Sequence, residues 1–462
     1  MGGAKGILEV EQLVEPSKSG FGLRSRHPGQ EMSATLRVGV VGCGQIVEHH
    51  VKAMLPHIRS GRIIVHVLVD PRAARINAIR MLLSVDQEER PIEMSSLPEL
   101  LAATPPPVDA VLIAVPHDLH EEVATLALRA GLHVLCEKPL APTLAACRQL
   151  QSVASASGSG LLVVSEQSPH WPEVVACRSL IETGAVGRVL SVSVDYYESM
   201  AATPFGGSGG AAEDPFNLGW RRSLSCAGGG IVIDGGLHWL RPLRLLLGEE
   251  FAEVVGTTAN PWDELRMEGE TLAHAIFHTA PSGLCGVFRA AVSGAGAMAH
   301  PSCPFMRVTG QSGEIVISGT GLQPGGGGLL LFAPGLPAEG VEQLAPAPHP
   351  RGFCAAFGGM WAEFLRVVET DDRAAACASV DEGIRDVAAA LALYESARTR
   401  RWVRVGPGCG GAHSCKAHRL MLAAAGVGLA GIFAGLAVIV AARRGGSGST
   451  AVCTSSVLRV KL

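Results

Sequence analysis

Arg37-Val-Gly-Val-Val-Gly42-Cys-Gly44-Gln-Ile-Val47 decides the fold. Its first half is apolar and β-branched, the composition of a strand buried on both faces. Two glycines follow at once, and a helix-like stretch then runs over 47–58. Gly42 permits a tight turn. Gly44 lets the backbone approach a pyrophosphate at the helix N-terminus, where the amide dipoles favour an anion. The usual third glycine is Val47 here. That position serves helix–strand packing, so nucleotide binding tolerates the change at a slightly wider separation. Asp70 ends the next apolar run, 63–69, where an acidic side chain accepts hydrogen bonds from an adenosine ribose. Asp70 favours NAD, while Arg72 and Arg75 just beyond it are compatible with NADP. The other reading of Asp70 is a helix cap before Pro71.

Further apolar runs lie at 110–115, 134–136 and 161–164, with helix-like stretches at 71–83, 119–130 and 143–156 between them. This alternation predicts an α/β fold with a doubly wound parallel sheet over 35–166. The texture changes from residue 189. Segments 189–196, 272–278, 285–291 and 306–317 alternate or favour strands, and Gly, Pro and Ser separate them. They predict a second α/β domain over 167–405, built on a large open, mostly antiparallel sheet. Helices are expected at 360–368 and 380–397, and Gly-rich loops at 206–212 and 321–328.

The 462 residues suffice for two domains plus extra segments. A hydrophobic fraction of 47% against 17% charged residues excludes wholesale disorder. Net charge is −4 and no basic block occurs, which argues against a nucleic-acid partner. The 12 cysteines include no Cys-x-x-Cys pair, so neither a metal site nor a redox dithiol is expected. Reduced thiols in a cytosolic setting fit best. Residues 1–34 read as a flexible leader without a signal-peptide core, and 406–419 as a linker. Residues 420–442 carry no charge, with Lys416 and Arg419 before them and Arg443-Arg444 after. About 20 apolar residues span a bilayer, and Gly431-Ile-Phe-Ala-Gly435 has the small-xxx-small spacing of packed membrane helices. The run predicts a single C-terminal transmembrane-like helix that anchors a cytosolic catalytic domain, followed by a tail over 443–462. The alternative is a soluble cytoplasmic chain whose tail is buried.

Lys138 closes Gly131-Leu-His-Val-Leu-Cys-Glu137-Lys138-Pro139, at the C-terminal end of a predicted parallel strand. Ligands of open α/β sheets collect at that edge. A partly desolvated lysine there can hydrogen-bond a substrate hydroxyl or exchange a proton with it. A solvated surface lysine is the plainer reading. In Gly228-Gly-Gly-Ile-Val-Ile-Asp234-Gly-Gly-Leu-His238 the acid and the imidazole stand four residues apart. They share one face if a helix starts there. His238 can then take a proton from an alcohol while Asp234 orients the ring. Otherwise Asp234 caps the helix and His238 is a core histidine.

Taken together, these residues resemble the Gfo/Idh/MocA oxidoreductases. The matching segments are Arg37 to Gly44, Val115-Pro-His-Asp-Leu-His120, Ala130 to Leu140, Leu180-Ile-Glu-Thr-Gly-Ala-Val-Gly187, Gly219-Trp-Arg221, the Asp234/His238 stretch and the closing helix that follows Ser379-Val-Asp-Glu-Gly383. The resemblance implies a Rossmann domain and a second domain whose open sheet often builds homo-oligomers. It implies hydride transfer between NAD(P) and a hydroxyl or carbonyl carbon of a sugar, cyclitol, dihydrodiol or similar small molecule. Lys138, Asp234 and His238 then take the catalytic roles. Gly42, Gly44, Gln45, Ile46, Asp70, Arg72, Pro116, His120, Glu137 and Lys138 line the cofactor. Trp220 and Arg221 join Lys138 and His238 around the substrate. Arg221 as a structural ion-pair partner and His120 as a structural residue at its turn are equally compatible. Ser165-Glu-Gln-Ser-Pro-His170 replaces the more usual Arg-Phe-x-Pro-like segment that shapes the substrate site, so the substrate does not carry over. Two other functions fit the same residues: a non-catalytic NAD(P)-binding sensor or scaffold, and a redox-assisted glycosidase.

Overall fold

The opening run becomes β1 (Leu36–Val41), α1 (Ile46–Arg59) and β2 (Ile63–Val69). The chain continues through α2 (Ala73–Leu83), β3 (Ile92–Met94), α3 (Leu97–Leu101), β4 (Ala110–Ile113), α4 (His120–Arg129), β5 (His133–Glu137), α5 (Leu144–Ala156) and β6 (Leu162–Ser165). The strands form one parallel sheet in the order β3-β2-β1-β4-β5-β6, the doubly wound arrangement expected. Val38, Val40, Val111 and Leu135 are fully buried, because helices cover both faces. The order reverses between β1 and β4, which opens a crevice at the carboxyl ends of the strands. β3 and α3 were not expected. β3 is three residues long and mostly exposed, too short to leave a hydrophobic period.

This computed structural model describes residues 35–406 apart from 104, 159, 200–217, 294–305, 318–327, 339, 345–350 and 372–378. The leader 1–34, the Gly-rich loops but for Gly328, the linker past 406 and the apolar run 420–442 lie outside the described residues. Among the described residues no helix is long and apolar enough to cross a membrane.

After α6 (Pro172–Glu182) comes β7 (Val189–Ser199), then α7 (Leu224–Ala227) and α8 (Leu237–Leu247). The strands β8 (Glu250–Ala259), β9 (Leu272–Ala280), β10 (Cys285–Ser293), β11 (Met306–Gly310), β12 (Glu314–Ile317), β13 (Leu329–Phe332) and β14 (Val341–Leu344) follow. Two long helices, α9 (Arg351–Thr370) and α10 (Val380–Thr399), precede the short β15 (Val403–Arg404). The second sheet has nine strands in the order β14-β13-β12-β11-β7-β10-β9-β8-β15. Each neighbouring pair is antiparallel except β7 with β10. The run 306–317, read as one strand, is a hairpin that turns at Gln311-Ser312-Gly313. β8 went unread because its buried positions do not alternate.

The closing helices tie the two sheets together. Phe357, Trp361 and Phe364 of α9 join the core of the first sheet. On α10, Ile384 and Val387 belong to that core, while Ala389, Ala390 and Leu393 belong to the core of the second sheet. α8 is clamped to α10 by charge. Arg241 Nη2 lies 2.8 Å from Asp386, and Arg244 reaches both Asp386 and Glu382. Arg241, Arg244 and Asp386 are all under 5% exposed, so each charge depends on its partners. Asp386→Ala leaves two buried guanidiniums under-compensated and should lower stability by about 3–5 kcal/mol in chemical denaturation. Loss of the exposed Glu395–Arg398 pair through Arg398→Ala should leave the midpoint in place.

Candidate active site

The turn after β1 is shaped for a dinucleotide. Gly42 has φ +86°, and a Cβ there would stand 2.4 Å from Ala114 O. Only glycine fits this position. Around Gly44 the space where a side chain would sit is open within 4 Å, so backbone faces the crevice. Gln45 and Ile46 begin α1, and Val47 is fully buried beneath them. Asp70 lies at the end of β2. Its Oδ2 accepts from Cys43 N–H at 2.9 Å and its Oδ1 from Arg72 N–H at 2.8 Å, with Arg72 Nε at 3.3 Å. The carboxylate thus braces the glycine turn and the residue just before α2. Lone pairs remain for ribose hydroxyls, since an ionised carboxyl offers about four acceptor sites. Burial beside Asp70 pushes the Cys43 thiol up to about 12, which keeps it protonated and inert. These features fit NAD: Gly42, Gly44, Gln45 and Ile46 would meet the pyrophosphate, and Asp70 with Arg72 the ribose.

The strand ends next to this turn carry the other candidate residues. Pro116 opens the turn after β4, and Lys138 follows β5. Lys138 Nζ donates to the Asp234 backbone O at 2.8 Å and to Asp234 Oδ1 at 3.1 Å. Arg221 Nε donates to the other oxygen of Asp234 at 2.7 Å, and its guanidinium lies over the Trp220 ring at 4.4 Å. Arg221 is thus an ion-pair partner of Asp234 and lies in the wall of a recess. Asp234, Gly229, Gly230, Ile231 and Met267 also line that recess. Burial alone would raise the Asp234 carboxyl. Arg221, Lys138 and His117 outweigh it and hold the group well below the usual carboxylate range.

His117 was not singled out from the sequence. Its Nδ1 faces Ala227 O at 2.9 Å, so the ring hydrogen sits there, and Nε2 lies 3.8 Å from Asp234 Oδ1. Burial, with Lys138 and His120 nearby, keeps the ring well below its ordinary range and so neutral.

The proposed Asp234–His238 pair does not form. Residues 232–236 make a π-turn before α8. Hydrogen bonds in such a turn close on i+5 rather than i+4, so residues four apart no longer stack as they do on an α-helix. Gly235 belongs to this geometry, because a Cβ there would stand 2.1 Å from Tyr196 Oη. His238 instead directs Nδ1 at Glu166, 2.9 Å from each carboxylate oxygen. Glu166 lies just past β6 and is 1% exposed. Its Oε1 also accepts from Ser168 N–H at 2.8 Å. Burial would raise this carboxyl, but His238 and Ser168 prevail and hold it at about 2. An ionised carboxylate only accepts, so the His238 proton sits on Nδ1 and Nε2 is the acceptor. The segment that departs from the family pattern thus supplies the histidine's partner.

Glu137 and His120 work from below. Glu137 Oε1 accepts from Ser165 Oγ and from His50 Nε2, each at 2.8 Å, and Oε2 from Lys138 N–H at 3.2 Å. Trp361 Nε1–H donates to His50 Nδ1 at 3.1 Å, which puts the His50 hydrogen on Nε2. Burial acts to raise Glu137, yet these donors and Lys138 keep it lowered. His120 is fully buried, with Nδ1 at 2.7 Å from Pro139 O and Nε2 at 3.1 Å from Val115 O. Both side chains fix the ends of β4 and β5, and so place Lys138.

Residues 36–165 match the family model described as an oxidoreductase family with an NAD-binding Rossmann fold. Residues 174–316 match the C-terminal domain of the same family, and the two stretches together exceed half of the chain. The chain belongs to the Gfo/Idh/MocA family of oxidoreductases. A 1,5-anhydro-D-fructose reductase from Ensifer adhaerens is 34% identical over 153 residues, covering 32% of this chain and 41% of that protein. An inositol 2-dehydrogenase from Corynebacterium glutamicum is 32% identical over 181 residues, 37% of this chain and 51% of that protein. The matched stretch spans about half the length of these relatives or less. A structure of levoglucosan dehydrogenase with NADH and levoglucosan aligns with a TM-score of 0.63 at 21% identity, over 80% of this chain and all of that one. At that identity the likeness speaks for the fold.

Glu166 also sets a pH signature. Its carboxyl is depressed in the folded state, so its stabilisation is complete above the ordinary value of 4.5 and is lost as pH falls toward 2. Glu166→Gln removes this dependence. In urea denaturation at stepped pH, the variant's stability should fall less steeply between 4.5 and 2 than that of the wild type. Parallel slopes would show that Glu166 is not held ionised as described.

Proposed function

We propose that this chain transfers a hydride between NAD and a hydroxyl-bearing carbon of a sugar, cyclitol or similar polyol. One observation carries the reading. Lys138, at the carboxyl end of β5, meets Asp234 one turn ahead of His238, and Glu166 orients the His238 ring. Bound NAD supplies the hydride acceptor, and its reduced form the donor. An ammonium has three N–H groups, and two of those on Lys138 face Asp234. The third donates to the substrate oxygen. His238 Nε2 takes the hydroxyl proton in oxidation and returns it in reduction. Glu166 stabilises the imidazolium formed in between, as an orienting carboxylate does in other acid–base pairs. Arg221 holds Asp234 ionised and so keeps Lys138 in place. The polyol class is supported by the matching relatives, named for inositol and 1,5-anhydro-D-fructose. NADP as an alternative cofactor rests on Arg72 and Arg75, just beyond Asp70.

The test uses the full chain with NAD or NADH and a panel of polyols and sugars, read by nicotinamide absorbance. Lys138→Ala and His238→Ala should each lower turnover by roughly 10²–10⁴-fold, the usual worth of acid–base assistance. NADH affinity of His238→Ala, read by fluorescence, should stay near wild type. Unchanged turnover in either variant refutes the assignment.

We also infer a C-terminal membrane anchor for the catalytic domain. It rests on the uncharged run 420–442 and its basic flanks. Washing membranes with alkaline carbonate should leave the chain in the pellet. Full recovery in the supernatant excludes the anchor.

A further inference from the structure

Four consecutive amides lead into the turn that carries Asp234, and each donates to a group far away in sequence. Gly230 N–H meets Glu270 Oε2 at 2.8 Å, and Ile231 N–H meets the Glu270 backbone O at 2.9 Å. Val232 N–H meets Glu270 Oε1 at 2.9 Å, and Ile233 N–H meets Tyr394 Oη at 3.2 Å. The Tyr394 hydroxyl in turn donates to Glu270 Oε1 at 2.9 Å. These are the amides that a helix start leaves without an internal acceptor. A side chain just before the helix normally satisfies one of them. Gly228-Gly-Gly230 has no such side chain. It has room instead. A Cβ on Gly230 would stand 1.9 Å from Glu270 O, and one on Gly229 2.2 Å from Tyr394 Oη. The glycines admit a cap delivered from the start of β9 and from α10.

We infer that Glu270 and Tyr394 are positioning residues that hold the 230–238 turn in its π register, and with it Asp234 against Lys138 and His238 against Glu166. The physical ground is the weakness of that register. Short π segments persist only where their surroundings impose them, and they occur often at functional sites. Without the remote cap the turn relaxes toward an α-helix, which rotates Asp234 away from Lys138 and Arg221. The catalytic consequence rests on the dehydrogenase reading above, whereas the geometric one does not.

Glu270→Gln is the decisive variant. Its amide keeps one acceptor oxygen and turns an NH₂ toward a backbone N–H that also donates. Tyr394→Phe removes the acceptor for Ile233 and the donor to Glu270 Oε1, and it carries the test if Glu270→Gln does not fold. Two readouts on the full chain need no substrate. Hydrogen exchange of 228–238 should quicken while the first sheet stays protected. The Asp234 carboxyl, followed by carbon NMR, should titrate at higher pH, because Lys138, Arg221 and His117 no longer surround it as before. The third readout is kinetic: kcat should fall on the order of 10²-fold, the scale of a misplaced reacting group, with NADH affinity unchanged. Wild-type titration of Asp234 together with wild-type kcat in a variant whose turn has loosened overturns the positioning role. If the wild-type chain itself turns over no polyol, the dehydrogenase reading fails, and the Asp234 titration alone decides the role of the cap.

Discussion

The contact between Lys138 and Asp234 organises this molecule. One partner stands at the end of a parallel strand, and the other on a turn above a different sheet. A buried carboxylate without partners is costly, and nearby cations offset part of that cost. Asp234 therefore has one suitable position, where Lys138 from the first sheet and Arg221 from the second region both reach it. The same contact joins the wall of the recess to the end of β5.

Three carboxylates lie here, Glu137 and Glu166 buried and Asp234 part-buried, and different donors keep each of them charged. Asp234 has its two cations. Glu166 has the His238 ring and the Ser168 amide. Glu137 has Ser165, the Lys138 amide and a neutral imidazole that Trp361 fixes in one tautomer. The last chain is notable for its reach. An indole on α9, more than 300 residues from α1, determines which nitrogen of His50 bears hydrogen and so how the strand end carrying Lys138 is held. In a medium of low polarity such chains count for more than their individual bonds.

The parallel sheet was legible because its signals are local. Val38 to Gly44 announces strand, turn and helix within a dozen residues, and the later apolar runs repeat the pattern. Lys138 and His238 stood out for the same reason, as single residues in distinctive local settings. Their partners were not. Glu166 lies 72 residues from His238, and a pairing across that distance leaves no period in the chain. Spacing alone assigned His238 to Asp234, since four residues mean one helical face. The π-turn, imposed by Tyr196 against Gly235 and by a cap from residues 270 and 394, removed that face. His117 was hidden in another way. It follows Pro116 at a strand end, and only the fold shows that the recess lies beside it.

α10 has an outcome for the whole chain. Ile384 and Val387 lie in the interior of one layer, and a turn later Ala390 and Leu393 lie in that of the other. A rod embedded in both interiors transmits loosening from either to its neighbour. The two layers are thus bound to melt as one cooperative unit, and any breathing between them must pivot about this shared spine.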